Sequence, residues 1–353
     1  MSSRLDDRAF VTRLDPKGML RLTEEFPAQC RKAYEIAQAA ELPSLEARPS
    51  LVVLAGIGGS AAGGDFARAI FEQSGVSPFL VNRDYHLPHF VGLGDLVFAT
   101  SYSGNTEETL SAYADAKKAG ARIICVTSGG KLAELARADG NALILIPGGQ
   151  PPRTAMGYML IPVLVAAQRL KLIAEQDYEG TFTLLERKAA EWTVEGSDSQ
   201  RPKELAQALH GNLAVIYGLG SWQGVVATRW KGQINENSKN HAFPNVFPEL
   251  NHNEVLGWVK AGEQGVAKWV AVILEDGSET AKMKARSAIT ERLAGSVAEF
   301  HHVVAEGDSL LAKMLGLAFF GDFVSIYLAA LNGVDPENMD WLIRMKEELA
   351  EIK

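Results

Sequence analysis

Short apolar runs, each closed by a glycine or a polar turn, recur along the first half of the chain. Leu51-Val52-Val53-Leu54-Ala55 ends at Gly56, and similar runs follow at Phe79–Asn82, Leu96–Thr100, Arg122–Thr127 and Ala142–Pro147. Runs of this length without polar alternation read as strands buried on both faces. Between them, Ala61–Gln73, Thr106–Ala119 and Lys131–Ala138 space their apolar residues as helices do. Strand and helix in alternation predict a parallel sheet covered on both sides. A second cycle starts at Leu213-Ala214-Val215-Ile216-Tyr217 and turns at Gly218-Leu219-Gly220-Ser221, as the first turns at Gly56-Ile57-Gly58-Gly59-Ser60. A further strand is expected at Ala267–Leu274. The pattern divides the chain into a helical segment (1–47), a first α/β domain (48–172), a helical linker (173–205), a second α/β domain (206–331) and a terminal helix (332–353). The fold class is thus α/β, with two related doubly wound domains, each a parallel sheet flanked by helices. In such sheets ligands bind beyond the carboxyl ends of the strands, where the glycine turns lie.

Composition narrows the partners. The 353 residues are 47% hydrophobic, enough for two cores. No run approaches the roughly 20 apolar residues of a membrane span, and the first residues lack the apolar stretch of a secretory signal. Two cysteines, Cys30 and Cys125, have no metal-like spacing and suit a reduced cytoplasmic protein. The net charge of −8, without a dense basic block, argues against nucleic acid. An anionic ligand stays open, provided that backbone dipoles rather than bulk charge hold it.

Two loops have that character. Gly56-Ile57-Gly58-Gly59-Ser60-Ala61 fits the GxGxxA dinucleotide fingerprint, although glycines after a strand also serve simply to turn the chain. Ser101-Tyr102-Ser103-Gly104-Asn105-Thr106-Glu107-Glu108-Thr109 places three hydroxyls and a glycine between a strand end and a helix start. Ser103 or Asn105 is placed to cap that helix, and one cap would explain one such residue. A cluster of Ser101, Ser103 and Thr106 with free backbone N–H groups makes a neutral cradle for phosphate. A dinucleotide-binding loop gives no reason for so many hydroxyls there.

The candidates for chemistry lie further on. Arg229-Trp230-Lys231-Gly232-Gln233-Ile234-Asn235-Glu236-Asn237-Ser238-Lys239 and the stretch through Glu249-Leu250-Asn251-His252-Asn253-Glu254 are dense in carboxamides, carboxylates and histidine. A solvated loop also has such a composition, but Trp230, Phe243, Phe247 and Trp258 would hold it to a core. His252 stands in no metal-ligand spacing, so a zinc site is not expected.

The SxSGxTxET string resembles the phosphate loop of sugar isomerase (SIS) domains, and the resemblance extends the site to Gly58, Gly59 and Ser60. The strings RWKxQxNEN and FPELNHNEVLGW, Pro152-Arg153-Thr154-Ala155-Met156-Gly157-Tyr158, and Asn332-Gly333-Val334-Asp335-Pro336 followed by Lys346 together resemble the bifunctional phosphoglucose/phosphomannose isomerase family across residues 50–350. The resemblance implies two SIS-type domains. It also implies interconversion of aldose and ketose 6-phosphates through a cis-enediol without metal, nucleotide or other cofactor, with Glu236 as the base, Arg153 stabilising the enediolate, and His252 and Lys346 serving ring opening. It further implies a homodimer with His252 donated across the interface.

Each role has a plainer competitor. Arg153 could serve only to fix a helix start at the surface, and Lys346 could belong to a solvated helix face. Glu254 could equally be a partner standing behind His252 and is left out of the catalytic set. Glu337-Asn338-Met339 departs from the family pattern after Pro336, which leaves the mannose/glucose balance open. A non-catalytic SIS regulator would not need the Glu236–His252 segment, and such regulators usually bring a DNA-binding helix, for which no basic module precedes Leu51. A glutamine-dependent aminosugar synthase would need an N-terminal cysteine nucleophile.

Overall fold

Every side chain of Val52–Ala55 and Leu96–Thr100 is buried, so these segments have no face for water and must be paired and covered on both sides. In the computed structural model, which describes residues 4–351, they form the middle of a five-stranded parallel sheet. Its strands are β1 (Val52–Ala55), β2 (Phe79–Asn82), β3 (Leu96–Thr100), β4 (Arg122–Thr127) and β5 (Ala142–Leu145), in the order β2-β1-β3-β4-β5. On one face, Val53, Ala55, Val97, Ala99 and Cys125 pack against Ala112, Tyr113 and Ala116 of the helix Glu107–Ala119 and against Leu132 and Ala136 of the helix Gly130–Asp139. The helices Phe26–Ala39, Gly59–Ser74 and Met156–Arg169 pack on one another in the same unit. This unit comprises residues 25–187 and 306–315. Because β1 and β3 pair in register from Val52 with Leu96 to Ala55 with Ala99, their carboxyl ends finish side by side. The glycine turn after β1 and the hydroxyl turn after β3 are therefore neighbours.

The other unit holds the described residues up to 24, residues 188–305 and those from 316 onward. Its sheet is β6 (Leu213–Gly218), β7 (Ala242–Val246), β8 (Trp269–Glu275) and β9 (Ala298–Val304), all parallel, in the order β7-β6-β8-β9. The two inner strands are legible as apolar runs. The edge strands β7 and β9 are not. β7 carries Pro244, tolerated because an edge strand can spare a donor, and β9 reads Ala-Glu-Phe-His-His-Val-Val, only half apolar because one side faces water. The polar run Arg229–Ser238 is helix, not loop, and forms the second half of the helix Ser221–Ser238.

One expectation is corrected. The helix Leu310–Asn332 is long and apolar enough by length and composition to cross a membrane. Lys313, Gly321 and Asp322 hide this in the sequence. Its most apolar stretch is 94% buried within the protein, as the central helix of a core is. Trp230 packs there through Gly321, where a Cβ would lie 2.3 Å from the indole nitrogen, and its Nε1 donates to the Leu317 carbonyl at 2.8 Å. Cys30 and Cys125 are free and buried.

Candidate active site

In the first unit three segments meet at the carboxyl ends of β1 and β3. The chain leaves β1 through Gly56, where a Cβ would lie 2.5 Å from Thr100 Oγ1, and through Gly58 at φ +58°. Glycine at Gly56 thus lets the turn lie flat against β3. The helix Gly59–Ser74 then begins with no side-chain cap. Ser60 Oγ, buried, accepts the N–H of Tyr102 at 3.3 Å and so ties the first loop to the second.

The second loop does not spend its hydroxyls on capping. Thr106 occupies the cap position of the helix Glu107–Ala119, yet its side chain makes no cap hydrogen bond. Its Oγ1 instead shares a hydrogen bond of 2.8 Å with Ser101 Oγ, which also accepts the Gly104 N–H at 3.1 Å. Ser103 Oγ accepts the Asn105 N–H at 3.2 Å, and Asn105 Oδ1 accepts from Lys131 N at 3.0 Å, at the head of the following helix. The cap expected of Ser103 or Asn105 on the helix Glu107–Ala119 is thus absent, since both are engaged elsewhere. Two helix heads, with N–H dipoles uncapped by side chains, stand beside Ser60, Ser101, Ser103 and Thr106.

The third segment is the turn Pro152–Thr154. A Cβ on Gly59 would lie 2.8 Å from the Pro152 carbonyl and 3.7 Å from Arg153 Cα, so only glycine lets this turn rest on the helix head. Arg153 is 4% exposed, which rules out a purely superficial role. Tyr102 completes the join, its hydroxyl accepting the Gln150 N–H at 3.2 Å, while Gln150 Nε2 donates to Thr154 Oγ1 at 3.1 Å. Burial lifts the Tyr102 phenol above its usual range, so it stays a neutral strut. Sequence reasoning passes over Tyr102, although it sits inside the hydroxyl-rich loop.

In the second unit Glu236 is exposed near the end of the helix Ser221–Ser238, whose other face is locked. Asn237 Nδ2 donates to Ser325 Oγ at 2.9 Å, Ser238 Oγ to the Ser325 carbonyl at 2.9 Å, and Asn332 Nδ2 to the Ser238 carbonyl at 2.8 Å. Lys239 closes the helix in the left-handed conformation (φ +53°), and its Nζ donates to the carbonyls of Glu236 at 2.6 Å and Asp335 at 2.9 Å. The helix end is thereby tied to the turn that carries Val334-Asp335-Pro336. In that turn Glu337 N donates to Asp335 Oδ1, and Asn338 binds Asp340 at the start of the last helix.

His252 ends a short 3₁₀ turn, Glu249–His252, and is exposed. Glu254, two residues on, directs its carboxylate to Tyr217 and Asn245. Lys346 lies on the helix Asp340–Ala350, exposed at every position from Trp341 to Leu349. Of the expected residues, the first unit brings Gly58, Gly59, Ser60, Ser101, Ser103, Thr106 and Arg153 together. Glu236, His252 and Lys346 belong to the second unit. Among the described residues, no three His, Cys, Asp or Glu side chains are grouped as a metal ion would need.

Comparison with known proteins covers both units. Residues 47–167 match the SIS domain family, and residues 198–349 match the bacterial phospho-glucose isomerase C-terminal SIS domain. A bifunctional phosphoglucose/phosphomannose isomerase of Caldicellulosiruptor bescii is 41% identical over 95% of this chain and 100% of its own. One of Aquifex aeolicus is 38% identical over 84% of this chain and 90% of its own. Among solved structures, a hypothetical protein from Thermus thermophilus superposes with a TM-score of 0.72 at 19% identity, over 98% of this chain and 94% of that one, a likeness of fold.

Proposed function

The chain belongs to the bifunctional phosphoglucose/phosphomannose isomerase family, and from that premise we propose that it interconverts glucose 6-phosphate and mannose 6-phosphate with fructose 6-phosphate. It is an aldose–ketose phosphosugar isomerase. The observation that carries the substrate class is the junction of the two loops, where Ser60 Oγ accepts from Tyr102 N and Thr106 turns its hydroxyl to Ser101 instead of capping its helix. That arrangement leaves hydroxyls and helix-head N–H groups to one phosphate, without a lysine.

The reaction then follows from the chemistry of a 6-phosphate sugar. A proton passes to the ring oxygen as the C1 hydroxyl of the aldose loses one, and the ring opens; His252, whose imidazole gives a proton from one nitrogen and takes one on the other, suits that exchange, with Lys346 assisting at the same oxygen. Glu236 takes the proton from C2 of the open aldose. Negative charge moves onto the C1 oxygen, where the Arg153 guanidinium stabilises the cis-enediolate. The O2 hydroxyl proton passes to O1, which shifts the charge to O2, and Glu236 returns its proton to C1 as the C2 carbonyl of the ketose forms. Losing one such electrostatic contact costs on the order of 3–4 kcal/mol of transition-state stabilisation. Glu236 is suited to this because its helix is locked on the opposite face while its own side chain is exposed. The active unit in this reading is a homodimer with His252 supplied by the partner. In its favour, the 3₁₀ helix Glu254–Glu263 that follows His252 exposes Leu256 (70%) and Val259 (76%), apolar surface that a second copy would cover.

The test is direct. Protein treated with EDTA and given fructose 6-phosphate in deuterated water should form aldose and place deuterium on carbon. If it does neither, the assignment is wrong. The Glu236→Gln variant should bind the sugar without exchanging, and normal turnover in that variant would remove Glu236 as the base. Glucose and mannose 6-phosphates run side by side give the balance that Glu337-Asn338-Met339 leaves open.

A further inference from the structure

We infer that Glu254 is a positioning residue for His252, fixing through Tyr217 and Asn245 the place from which the imidazole reaches the sugar ring. This rests on the reading of His252 as the ring-opening group and adds to that reading what holds it.

His252 stands on an exposed turn, yet the residues around it are held from several directions. On its amino side, Leu250 is fully buried in the core with Val215, Phe247 and Trp258. Asn251 Nδ2 donates to Thr290 Oγ1 at 2.9 Å, and an Arg286 NH group donates to Asn251 Oδ1 at 3.4 Å, both on the helix Ala281–Ala294. On its carboxyl side, Glu254 Oε1 accepts the Tyr217 hydroxyl at 2.5 Å, and Oε2 accepts Asn245 Nδ2. Tyr217 is fully buried on β6, and Asn245 lies on the adjacent strand β7. Asn253 Oδ1 accepts the Glu254 N–H at 2.6 Å and shapes the link between the two turns.

The choice of residue types points beyond mere anchoring. An apolar side chain would hold the turn to this core without the cost of desolvating a carboxylate. A carboxylate with donors from two different strands fixes its backbone along two directions, as packing alone does not. Burial and the hydrogen bond to Glu254 both hold the Tyr217 phenol protonated, so the donor is permanent. Placement of a proton-transfer group to within a fraction of an ångström is the use for such a fixture.

The experiment separates ring opening from proton transfer between carbons. Anomerisation of glucose 6-phosphate requires the ring to open and close but leaves the C2 proton in place, and exchange spectroscopy measures it beside isomerisation. Glu254→Gln turns one of the two acceptor oxygens into a donor, so either the Asn245 amide or the buried Tyr217 hydroxyl loses its acceptor. The substitution should slow both anomerisation and isomerisation about 10-fold or more, with KM changed by less than about 3-fold and Tm nearly unchanged. Adding Asn245→Asp restores an acceptor opposite the new amide and should recover most of both rates. Tyr217→Phe removes the other donor and should slow anomerisation as well. Glu236→Gln should stop isomerisation while sparing anomerisation. If Glu254→Gln leaves anomerisation at the wild-type rate, or if the double variant recovers nothing while Tm is unchanged, the positioning role is wrong. If His252→Ala itself anomerises at the wild-type rate, the reading of His252 fails instead.

Discussion

Ser103 is the exposed hydroxyl of the second loop, and its Oγ is committed to a local turn bond with Asn105 N. Removing it should leave the fold intact and take one hydrogen bond from a charged ligand, worth about 1.5–3 kcal/mol. We expect Ser103→Ala to raise KM for the 6-phosphates roughly tenfold or more, since about 1.4 kcal/mol is one decade, with Tm within a degree or two. An unchanged KM would remove Ser103 from the phosphate site. Gly104, its neighbour, gives the contrasting case. It sits at φ +73°, and a Cβ there would lie 1.9 Å from the Gly129 carbonyl and 2.8 Å from Thr127 Oγ1. Gly104→Ala should therefore lower stability by more than about 1 kcal/mol and raise KM as well. A Tm equal to wild type would show that this turn and the one after β4, at Gly129, can separate at little cost. The hydroxyls are legible in the sequence because no ordinary turn needs three of them. Tyr102 is not, because its role depends on Gln150, which is distant in sequence and close only in the fold.

At the scale of elements, legibility follows the continuity of apolar residues. Burial on both faces imposes that continuity, and the less buried edge strands β2 and β5 also keep it. Strands buried on both faces, β1, β3, β4, β6 and β8, announce themselves as apolar runs. The edge strands β7 and β9 and the helix Ser221–Ser238 do not, for their sequences answer to two environments at once. That helix buries polar side chains, Gln233, Asn237 and Ser238 among them, so it lacks the apolar stripe by which helices are recognised. Its buried Arg229 meets Asp322 of the central helix, with Nη2 at 3.3 and 3.2 Å from the two carboxylate oxygens. Both side chains are nearly excluded from solvent, and burial pushes the Asp322 carboxyl above its usual range even though Arg229 favours its charge. Cutting such a pair on one side strands a buried charge. Asp322→Ala should cost roughly 3–5 kcal/mol of stability, read as a lower urea midpoint with the slope unchanged. A loss under about 1 kcal/mol would mean that the other groups around Arg229 are enough to hold its charge.

At the scale of the whole molecule, the reading places Glu236 and His252 of one chain in different active sites. A homodimer in which His252 serves the partner's sugar predicts complementation between two inactive proteins. Glu236→Gln lacks the base, and His252→Ala lacks the ring-opening group, so a homodimer of either has two defective sites. In a mixed dimer, one site receives the intact Glu236 of the His252→Ala chain and the intact His252 of the Glu236→Gln chain. The other site receives both defects. Random exchange of equal amounts makes half of the dimers mixed, each with one working site of two. Activity should therefore recover to about a quarter of wild type per chain, with a catalytic constant near wild type for each working site. If His252 acted within its own chain, every site in every mixture would keep one defect and no activity would return. Subunit exchange, checked by mass on differently tagged chains, makes that outcome decisive, because a mixed dimer that forms and stays silent assigns His252 to its own chain. The apolar surface beside His252 gives a parallel readout. Leu256→Glu should weaken the dimer and remove isomerisation of closed-ring substrate along with it, while the monomer keeps its phosphate loops and its affinity for the sugar phosphate.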